Sequence, residues 1–125
     1  MYSVKVEGDF SSAHNLREYK GKCEELHGHN WKVEVVVSSE TLDKAGLLVD
    51  FSVLKKQLND VLTLLDHKHL NEIEYFKKVN PTSENIAKYI YSKLIADSSQ
   101  LIGPNSRIKS VTVWESEKSC ATYEE

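Results

Sequence analysis

The sequence predicts an α+β fold in which two helices cover one face of a four-stranded antiparallel sheet. Two segments of alternating apolar and polar residues open the chain, two segments with helical spacing follow, and two more alternating segments end it. Strands joined by short connections pair as antiparallel hairpins, and helices grouped between them pack on one face of the sheet. The chain has 125 residues, the length of one domain, so we expect residues 1–125 to share a single core.

The predicted strands have side chains that alternate with a period of two. Residues 2–10 alternate in this way, and residues 29–37 repeat the pattern with several β-branched valines, which favour an extended backbone. Residues 107–115 alternate again, and residues 120–123 can pair with them as a hairpin across 116–119. A four-stranded sheet has two edges, and closing a barrel with other copies of the chain is one way to pair them. We therefore expect a homo-oligomer.

The predicted helices have apolar side chains three and four positions apart. Residues 51–65 form one amphipathic helix, and a second begins after Pro81 and ends before Gly103-Pro104. Short polar side chains at the start of each helix can accept a hydrogen bond from a free backbone N–H group. The candidate caps are Asp50 or Ser52 for the first helix and Thr82 or Ser83 for the second.

Composition and charge exclude several classes of protein. With 40% hydrophobic and 28% charged residues, the chain has the composition of a globular protein rather than a disordered one. A net charge of −3 argues against a nucleic-acid-binding protein, because such domains are usually basic. The first residues lack the pattern of a signal peptide, and no apolar run approaches the ~18 residues of a membrane span. We expect a cytoplasmic protein that binds neither nucleic acid nor membrane.

The five histidines lie in three short segments, and three of them form a candidate metal site. His27 and His29 are two residues apart at the start of a strand, so their side chains point to one face. Gly28 adds no side chain between them, and His14 is the natural third ligand if the first two strands pair. Three imidazoles suit Zn²⁺ and leave a fourth position for water or substrate. The alternative is a chance H-x-H pattern, with His14 as a surface residue.

Cys23 lies four residues before His27 and next to Lys22, where a metal ion and a lysine would both favour the reactive thiolate. Two cysteines are too few for a disulfide framework, so an isolated cysteine near histidines is a candidate catalytic or metal-linked residue. Two alternatives stay open for Cys23: a buried, inert thiol, or a fourth ligand that closes a structural site. Cys120, in the last strand, is expected to be a buried and inert thiol.

Acidic residues complete the set of candidates. Asp66 and His67 follow the first helix directly, where a carboxylate can orient an imidazole for proton transfer. The alternative is that both residues, with His69, are polar loop residues. Glu115 shares its strand face with apolar residues, so its carboxylate is placed either to recognise a ligand or, at the strand end, to face solvent.

Taken together, these motifs resemble the 6-pyruvoyl-tetrahydropterin synthase family, particularly the bacterial 6-carboxy-tetrahydropterin synthases. They occur in the order of the family and span nearly the whole chain. The matching runs are Phe10-Ser-Ser-Ala-His14, Cys23-Glu-Glu-Leu-His-Gly-His29, Asp66-His-Lys-His-Leu-Asn71, Pro81-Thr-Ser-Glu-Asn85, and Glu115 followed by Ala121-x-Tyr123. The three residues between Cys23 and His27 are similar to the spacing of the bacterial carboxy-pterin group.

The resemblance implies the tunnelling fold (T-fold), in which the sheets of three subunits join into a β-barrel. Two trimers then stack as a hexamer, with active sites between subunits. The implied enzyme is a zinc-dependent lyase whose substrate is 7,8-dihydroneopterin triphosphate. Its products are 6-carboxy-5,6,7,8-tetrahydropterin, acetaldehyde and triphosphate, on the way to queuosine.

The resemblance also implies a role for each residue that matches a functional position of the family. It assigns His14, His27 and His29 to zinc, Cys23 to proton abstraction, Asp66 and His67 to a proton relay, and Glu115 and Thr82 to the substrate. These roles suit the chemistry, because a bound metal makes a neighbouring C–H bond acidic enough for a thiolate to remove the proton.

Glu24 gives the motif Cys-Glu-x-x-His-Gly-His, which resembles a subgroup that also carries the glutamate of a folate-pathway branch. That branch cleaves the same substrate to 6-hydroxymethyl-7,8-dihydropterin, so Glu24 is either a second catalytic base or an exposed loop residue. Arg17, Lys20 and Lys22 form a basic cluster that either meets the triphosphate or belongs to a solvated loop. The alternative of a different class is a non-catalytic zinc-binding module with the same fold.

Overall fold

Four strands form one antiparallel sheet in which each strand lies beside the next strand of the chain. The structure, a computed structural model, describes residues 1–98 and 105–125. The strands are β1 (Tyr2–His14), β2 (His27–Ser39), β3 (Ser106–Ser116) and β4 (Ser119–Glu124). The predicted four-stranded sheet is confirmed, and β1 continues past the predicted end of the first strand as far as His14.

Two long helices cover one face of this sheet, as the sequence predicts. Helix α1 (Phe51–Thr63) packs on β1. A 3₁₀ turn, Leu70–Glu72, and a short helix α2 (Glu74–Lys78) follow, and neither has a counterpart among the predicted elements. Each of these two holds one fully buried apolar side chain, so no helical period is visible in the sequence. Helix α3 (Ser83–Ser98) packs on β3 and β4.

Both long helices begin at side-chain caps that are among the predicted candidates. The Asp50 Oδ1 accepts a hydrogen bond from the Ser52 N–H at 2.8 Å, and the Thr82 Oγ1 accepts one from the Asn85 N–H at 3.1 Å. Gly103-Pro104, before which the second helix is predicted to end, lies outside the described residues. Within the described ranges, no helix is long and apolar enough to cross a membrane.

The core lies between the helices and one face of the sheet. The register pairs Phe10 with Trp31 and Gly8 with Val33, so the inward-facing side chains of both strands alternate together. Phe10 and Trp31 are buried and stack with 5.8 Å between ring centroids. Helix α1 approaches β1 closely at Gly8: a Cβ atom added there would lie only 2.8 Å from Leu62 Cδ1. Glycine at this position therefore allows the short distance between helix and sheet.

The opposite face of the sheet carries charged side chains, and the described helices do not cover it. Lys5 lies 3.7 Å from Glu34, and Lys32 lies 3.5 Å from Glu7. The Trp114 indole N–H donates to Glu34 Oε1 at 3.1 Å. Strands β1 and β4 are the two edges of the sheet. The sheet thus has one apolar face, covered by helices, and one polar face.

We predict that Gly8→Val destabilises the protein, because the added methyl groups must displace Leu62 in a close-packed core. The expected loss is about 1–3 kcal/mol in the free energy of unfolding, measured by urea denaturation. Gly28→Ala is the matched control, since a Cβ atom there meets only the Ser12 carbonyl oxygen at 3.8 Å. A Gly8→Val protein as stable as the wild type would contradict the close approach of α1 to β1.

Candidate active site

Three histidine side chains converge where β1 ends and β2 begins. The register pairs His14 with His27 and Ser12 with His29, so all three imidazoles lie on the face that the helices cover. One ligand nitrogen from each lies within 4.8 Å of the other two. His14 is buried, whereas His27 and His29 are partly exposed. The three ligands predicted from the sequence therefore form a group that can hold a metal ion.

Hydrogen bonds at the other ring nitrogen set the tautomer of two of these imidazoles. The His14 Nδ1 lies 2.8 Å from the Pro81 carbonyl oxygen, and the His27 Nδ1 lies 2.9 Å from the Glu25 carbonyl oxygen. A carbonyl oxygen only accepts, so each Nδ1 carries the proton and each Nε2 keeps its lone pair. The two Nε2 atoms lie 3.0 Å apart, a distance at which two lone pairs need a cation or a shared proton.

His29 supplies the third nitrogen of the group. Its Nε2 is buried and has no hydrogen-bond partner among the described residues. Buried polar atoms are normally satisfied, so an unpaired nitrogen beside two lone pairs fits a metal ligand. Burial lowers the pKa of His14, because desolvation disfavours the imidazolium, and this favours the neutral form that binds metals. The donor set thus fits a divalent ion that accepts imidazole nitrogen.

Glu115 lies beside the histidine group. Its Oε1 is 3.6 Å from the His29 Nε2, and its Oε2 is 4.0 Å from the His14 Nε2. The side chain is 40% exposed, and the register between β3 and β4 shifts between Trp114 and Ser116. This irregularity leaves Glu115 outside the regular strand pairing. Its carboxylate can accept hydrogen bonds from a ligand bound next to the histidines.

Asp66 and His67 form a hydrogen-bonded pair on the loop after α1. The His67 Nδ1 lies 2.9 Å from Asp66 Oδ2, and the Ser11 N–H donates to Asp66 Oδ1 at 2.9 Å. The Ser11 and His67 donors lower the pKa of the Asp66 carboxyl, so the carboxylate form is favoured. His67 has a φ of 55°, and its N–H donates to the Ser11 carbonyl oxygen at 2.6 Å. The pair is therefore oriented by the fold, while the His67 ring is exposed.

Ser12 attaches this loop to the strand that carries His14. Its hydroxyl donates to the Leu65 carbonyl oxygen and accepts a hydrogen bond from the Lys68 N–H at 3.1 Å. The Ala13 N–H donates to the Lys68 carbonyl oxygen at 3.0 Å. The candidate relay residues and the candidate metal ligands consequently lie at the same end of the sheet.

The loop between β1 and β2 carries Cys23 and Glu24. Cys23 is exposed and lines an open depression of about 460 Å³. It is not part of the histidine group, which disfavours a closed site with four protein ligands. The Glu24 Oε1 accepts a hydrogen bond from the Leu16 N–H at 3.2 Å and lies 3.7 Å from the His27 Nδ1. Glu24 is therefore held within the loop rather than being free in solvent.

The sequence matches the family described as 6-pyruvoyl tetrahydropterin synthase over residues 3–125. The chain belongs to this family. A 6-carboxy-5,6,7,8-tetrahydropterin synthase from Synechocystis sp. is 39% identical over 99 residues, which is 75% of each chain. A dihydroneopterin monophosphate aldolase from Pyrococcus furiosus is 38% identical over 106 residues, 85% of this chain and 82% of that one.

Solved structures of the 6-pyruvoyl tetrahydropterin synthase family have the same architecture. The Caenorhabditis elegans 6-pyruvoyl tetrahydropterin synthase superposes with a TM-score of 0.82 at 28% identity, over 99% of this chain and 95% of that one. The fold is the T-fold of this family, as the resemblance in the sequence implies. Relatives in this family are named tetrahydropterin synthases, and the histidine end of the sheet is the candidate active site.

The structure corrects one expectation from the sequence and adds detail to another. The Arg17 guanidinium of the predicted basic cluster is held in place, because its Nη2 donates to the carbonyl oxygens of Phe76 and Val79, the latter at 2.8 Å. Cys120 is exposed rather than buried. It lies on the edge strand β4 opposite Trp114, on the face of the sheet that the helices do not cover.

Two asparagines to which the sequence analysis assigns no role, Asn71 and Asn80, bind the loop that follows β1. Asn71 exchanges hydrogen bonds with the backbone of Asn15, and Asn80 does the same with Arg17. The partners are 56 and 63 residues apart in the chain, so only the tertiary structure brings them together. Thr82 lies two residues after Asn80, and its hydroxyl oxygen caps α3 while the hydroxyl proton stays available for a ligand.

We predict that Asp66→Asn destabilises the metal-free protein at neutral pH and that the difference disappears in acid. The pKa of Asp66 lies below its ordinary value of 3.8 in the folded protein. Its contribution to stability is therefore complete above the unfolded pKa and is lost as the pH falls through the lower folded pKa. Urea denaturation of both proteins, from neutral pH to the lowest pH at which both are folded, measures how the difference shrinks below pH 3.8. A difference that persists at the acid end would contradict the role given to the carboxylate.

Proposed function

We propose that this protein is a zinc-dependent lyase that converts 7,8-dihydroneopterin triphosphate to 6-carboxy-5,6,7,8-tetrahydropterin, with release of acetaldehyde and triphosphate, in the formation of queuosine. The group of three imidazoles, with one ligand nitrogen from each within 4.8 Å of the other two, carries the proposal. Two of these atoms are kept as neutral ligands by carbonyl oxygens at the opposite ring nitrogen. The relative from Synechocystis, named 6-carboxy-5,6,7,8-tetrahydropterin synthase, supports the choice of product.

Zinc suits this donor set better than magnesium or calcium does. Magnesium and calcium prefer oxygen ligands, whereas zinc binds imidazole nitrogen in tetrahedral geometry. Three protein ligands would leave one position of a zinc ion open, and the ion would supply Lewis-acid chemistry there to an oxygen of the substrate side chain. His14, His27 and His29 would hold the ion, and Glu115 lies at the open side of the group.

The side chains around the histidines have separate roles in the proposed reaction. Cys23 is exposed on the loop that leads to the start of β2, where the histidines lie. Its thiolate would take the proton of the substrate C–H bond. Asp66 holds the Nδ1 of His67, which leaves the exposed Nε2 to exchange protons with the substrate. The Glu115 carboxylate accepts hydrogen bonds from the amino-pyrimidine edge of the pterin. The Thr82 hydroxyl supplies a further contact to the substrate.

The proposed enzyme works in the cytoplasm as a homohexamer with active sites between subunits. Both edges of the sheet support assembly, because β1 and β4 each have only one neighbouring strand among the described residues. Three sheets joined edge to edge close a barrel and remove these edges. The uncovered polar face of each sheet would then line the interior of the barrel.

We predict that Cys23→Ala keeps its zinc and loses turnover, since the thiol is not part of the histidine group. The expected loss in kcat is roughly 10²–10⁴-fold, the usual contribution of a general base. Zinc content is measured by atomic emission, and pterin products from 7,8-dihydroneopterin triphosphate are measured by mass spectrometry. Cys120→Ala changes the other exposed cysteine and serves as the matched control.

The same measurement distinguishes the alternatives to this function. Loss of zinc from Cys23→Ala would support a site closed by the thiolate, and unchanged turnover would remove Cys23 from the mechanism. Zinc-loaded wild-type protein that forms no pterin product would contradict the lyase and favour a non-catalytic zinc-binding module. Product formation that survives a strong chelator would contradict the role of the metal.

Cleavage of the same substrate to 6-hydroxymethyl-7,8-dihydropterin, for folate synthesis, is the second candidate function. The position of Glu24 favours it, because the carboxylate lies 3.7 Å from the His27 Nδ1 on the loop that carries Cys23. The relative from Pyrococcus furiosus, named dihydroneopterin monophosphate aldolase, supports an aldolase activity on a neopterin in this family. Glu24 would then act as the base of a second reaction at one metal site.

We predict that Glu24→Gln removes the hydroxymethyl product and leaves the carboxy product. The amide keeps an acceptor for the Leu16 N–H but cannot take up a proton, so the loop keeps its shape. Mass spectrometry of both pterins should show the ratio of hydroxymethyl product to carboxy product falling by more than about tenfold. Glu25→Gln is the matched control, because the Glu25 side chain is exposed and only its carbonyl contacts His27. An unchanged product ratio would show that Glu24 has no catalytic role.

A further inference from the structure

The side chain of Asn80 binds the loop that leads from β1 to Cys23. Its Oδ1 accepts hydrogen bonds from the Arg17 backbone N–H at 2.9 Å and from the Arg17 Nε at 3.2 Å. Its Nδ2 donates to the Arg17 carbonyl oxygen at 2.9 Å. One amide side chain therefore fixes both backbone groups of a residue that is 63 positions away in the chain.

The residue after Asn80 orients a metal ligand. Pro81 is buried, and its carbonyl oxygen accepts the hydrogen bond from the His14 Nδ1 at 2.8 Å. The Asn80 carbonyl oxygen accepts a further hydrogen bond from the Asn85 Nδ2 at 2.9 Å, which fixes the peptide group between Asn80 and Pro81 to helix α3. Because Asn80 and Pro81 share a peptide bond, a movement of Asn80 displaces the carbonyl group that sets the His14 tautomer.

Hydrogen bonds within the loop link the residue beside Arg17 to the residue beside Cys23, the proposed base. The Glu24 N–H donates to the Leu16 carbonyl oxygen at 2.8 Å, and the Leu16 N–H donates to Glu24 Oε1 at 3.2 Å. Leu16 is the neighbour of Arg17, and Glu24 is the neighbour of Cys23. The backbone that Asn80 holds is thus hydrogen-bonded to the residue next to Cys23.

We propose that Asn80 is a positioning residue that holds the metal ligand His14 and the Cys23 loop in one arrangement. The proposal rests on the metal site of the proposed function. It assigns to Asn80 no contact with the substrate. Its effect on the metal passes through the Pro81 carbonyl group, and its effect on the thiol passes through Arg17 and Leu16.

The chain contains a matched control for this proposal. Asn71 makes the same pair of hydrogen bonds with Asn15, since its Oδ1 accepts the Asn15 N–H at 3.0 Å and its Nδ2 donates to the Asn15 carbonyl oxygen at 2.7 Å. Asn71→Ala therefore removes two hydrogen bonds from the same loop. It leaves the Pro81 carbonyl group and its bond to His14 untouched.

The experiment compares Asn80→Ala, Asn71→Ala and the wild type by three measurements on the full chain. Competition with a chromogenic chelator gives the zinc affinity, the visible absorption of the cobalt-loaded protein reports the ligand geometry, and thermal unfolding of the metal-free protein reports the fold. We expect Asn80→Ala to lose about 10–100-fold in zinc affinity and to change the cobalt spectrum. Asn71→Ala should stay within about threefold of the wild type in zinc affinity, well below the loss expected for Asn80→Ala.

A second readout follows the thiol. In a Cys120→Ala background Cys23 is the single cysteine, so its alkylation rate reports the loop alone. Both asparagine variants should change this rate by several-fold, because both loosen the loop. Only Asn80→Ala should combine the altered rate with weak zinc binding.

Several outcomes would overturn the proposal. Zinc affinity in Asn80→Ala equal to that of the wild type would show that Pro81 is held without Asn80. An equal loss in Asn71→Ala would reduce the effect to general loosening of the loop. If Asn80→Ala does not fold, Asn80→Asp replaces the donor to the Arg17 carbonyl oxygen by a carboxylate oxygen that repels it, and unchanged zinc affinity in that folded variant would be equally contrary. Wild-type protein that binds no zinc would instead contradict the proposed function itself.

Discussion

The pairing of His14 with His27 is the constraint on which the rest of the site depends. Side chains alternate along a strand, so a slip of one residue between β1 and β2 would send His27 and His29 to the charged face of the sheet. The apolar face prevents this slip, because Phe10 stacks on Trp31 only in the observed register. The candidate metal ligands are therefore positioned by hydrophobic packing that extends well beyond them.

The 3.0 Å between the Nε2 atoms of His14 and His27 is unfavourable for two lone pairs without a cation or a shared proton between them. Backbone carbonyl groups of Pro81 and Glu25 hold this arrangement by accepting the Nδ1 protons of His14 and His27. Burial of His14 acts in the same direction, since it lowers the pKa and keeps the ring uncharged. The fold thus holds His14 and His27 in the tautomer that can bind a metal ion. The stability of the sheet offsets the unfavourable approach of their nitrogens.

Local patterns predict a large part of the fold and the metal group. Alternation gives the four strands, three-and-four spacing gives α1 and α3, and the H-x-H motif gives two ligands on one strand face. The 3₁₀ turn and α2 could not be predicted, because each is anchored by one buried side chain rather than by a period. The exposure of Cys120 could not be predicted either, since it depends on β4 being an edge strand. The hydrogen bonds that orient His14 and Asp66 join residues 67 and 55 positions apart, beyond the reach of any local pattern.

The position of the loop between β1 and β2 explains how one fold can support two reactions on one substrate. On the proposed function, the metal ligands and Glu115 lie on strands of the rigid sheet, and they would be the same for both cleavages. The two candidate bases, Cys23 and Glu24, are neighbours on a loop, yet they differ in freedom. Glu24 is tied to Leu16, whereas Cys23 is exposed. If each base reached a different proton of the same bound side chain, a change of product would require a change in this loop alone. The sheet, the helices and the metal group can remain as they are.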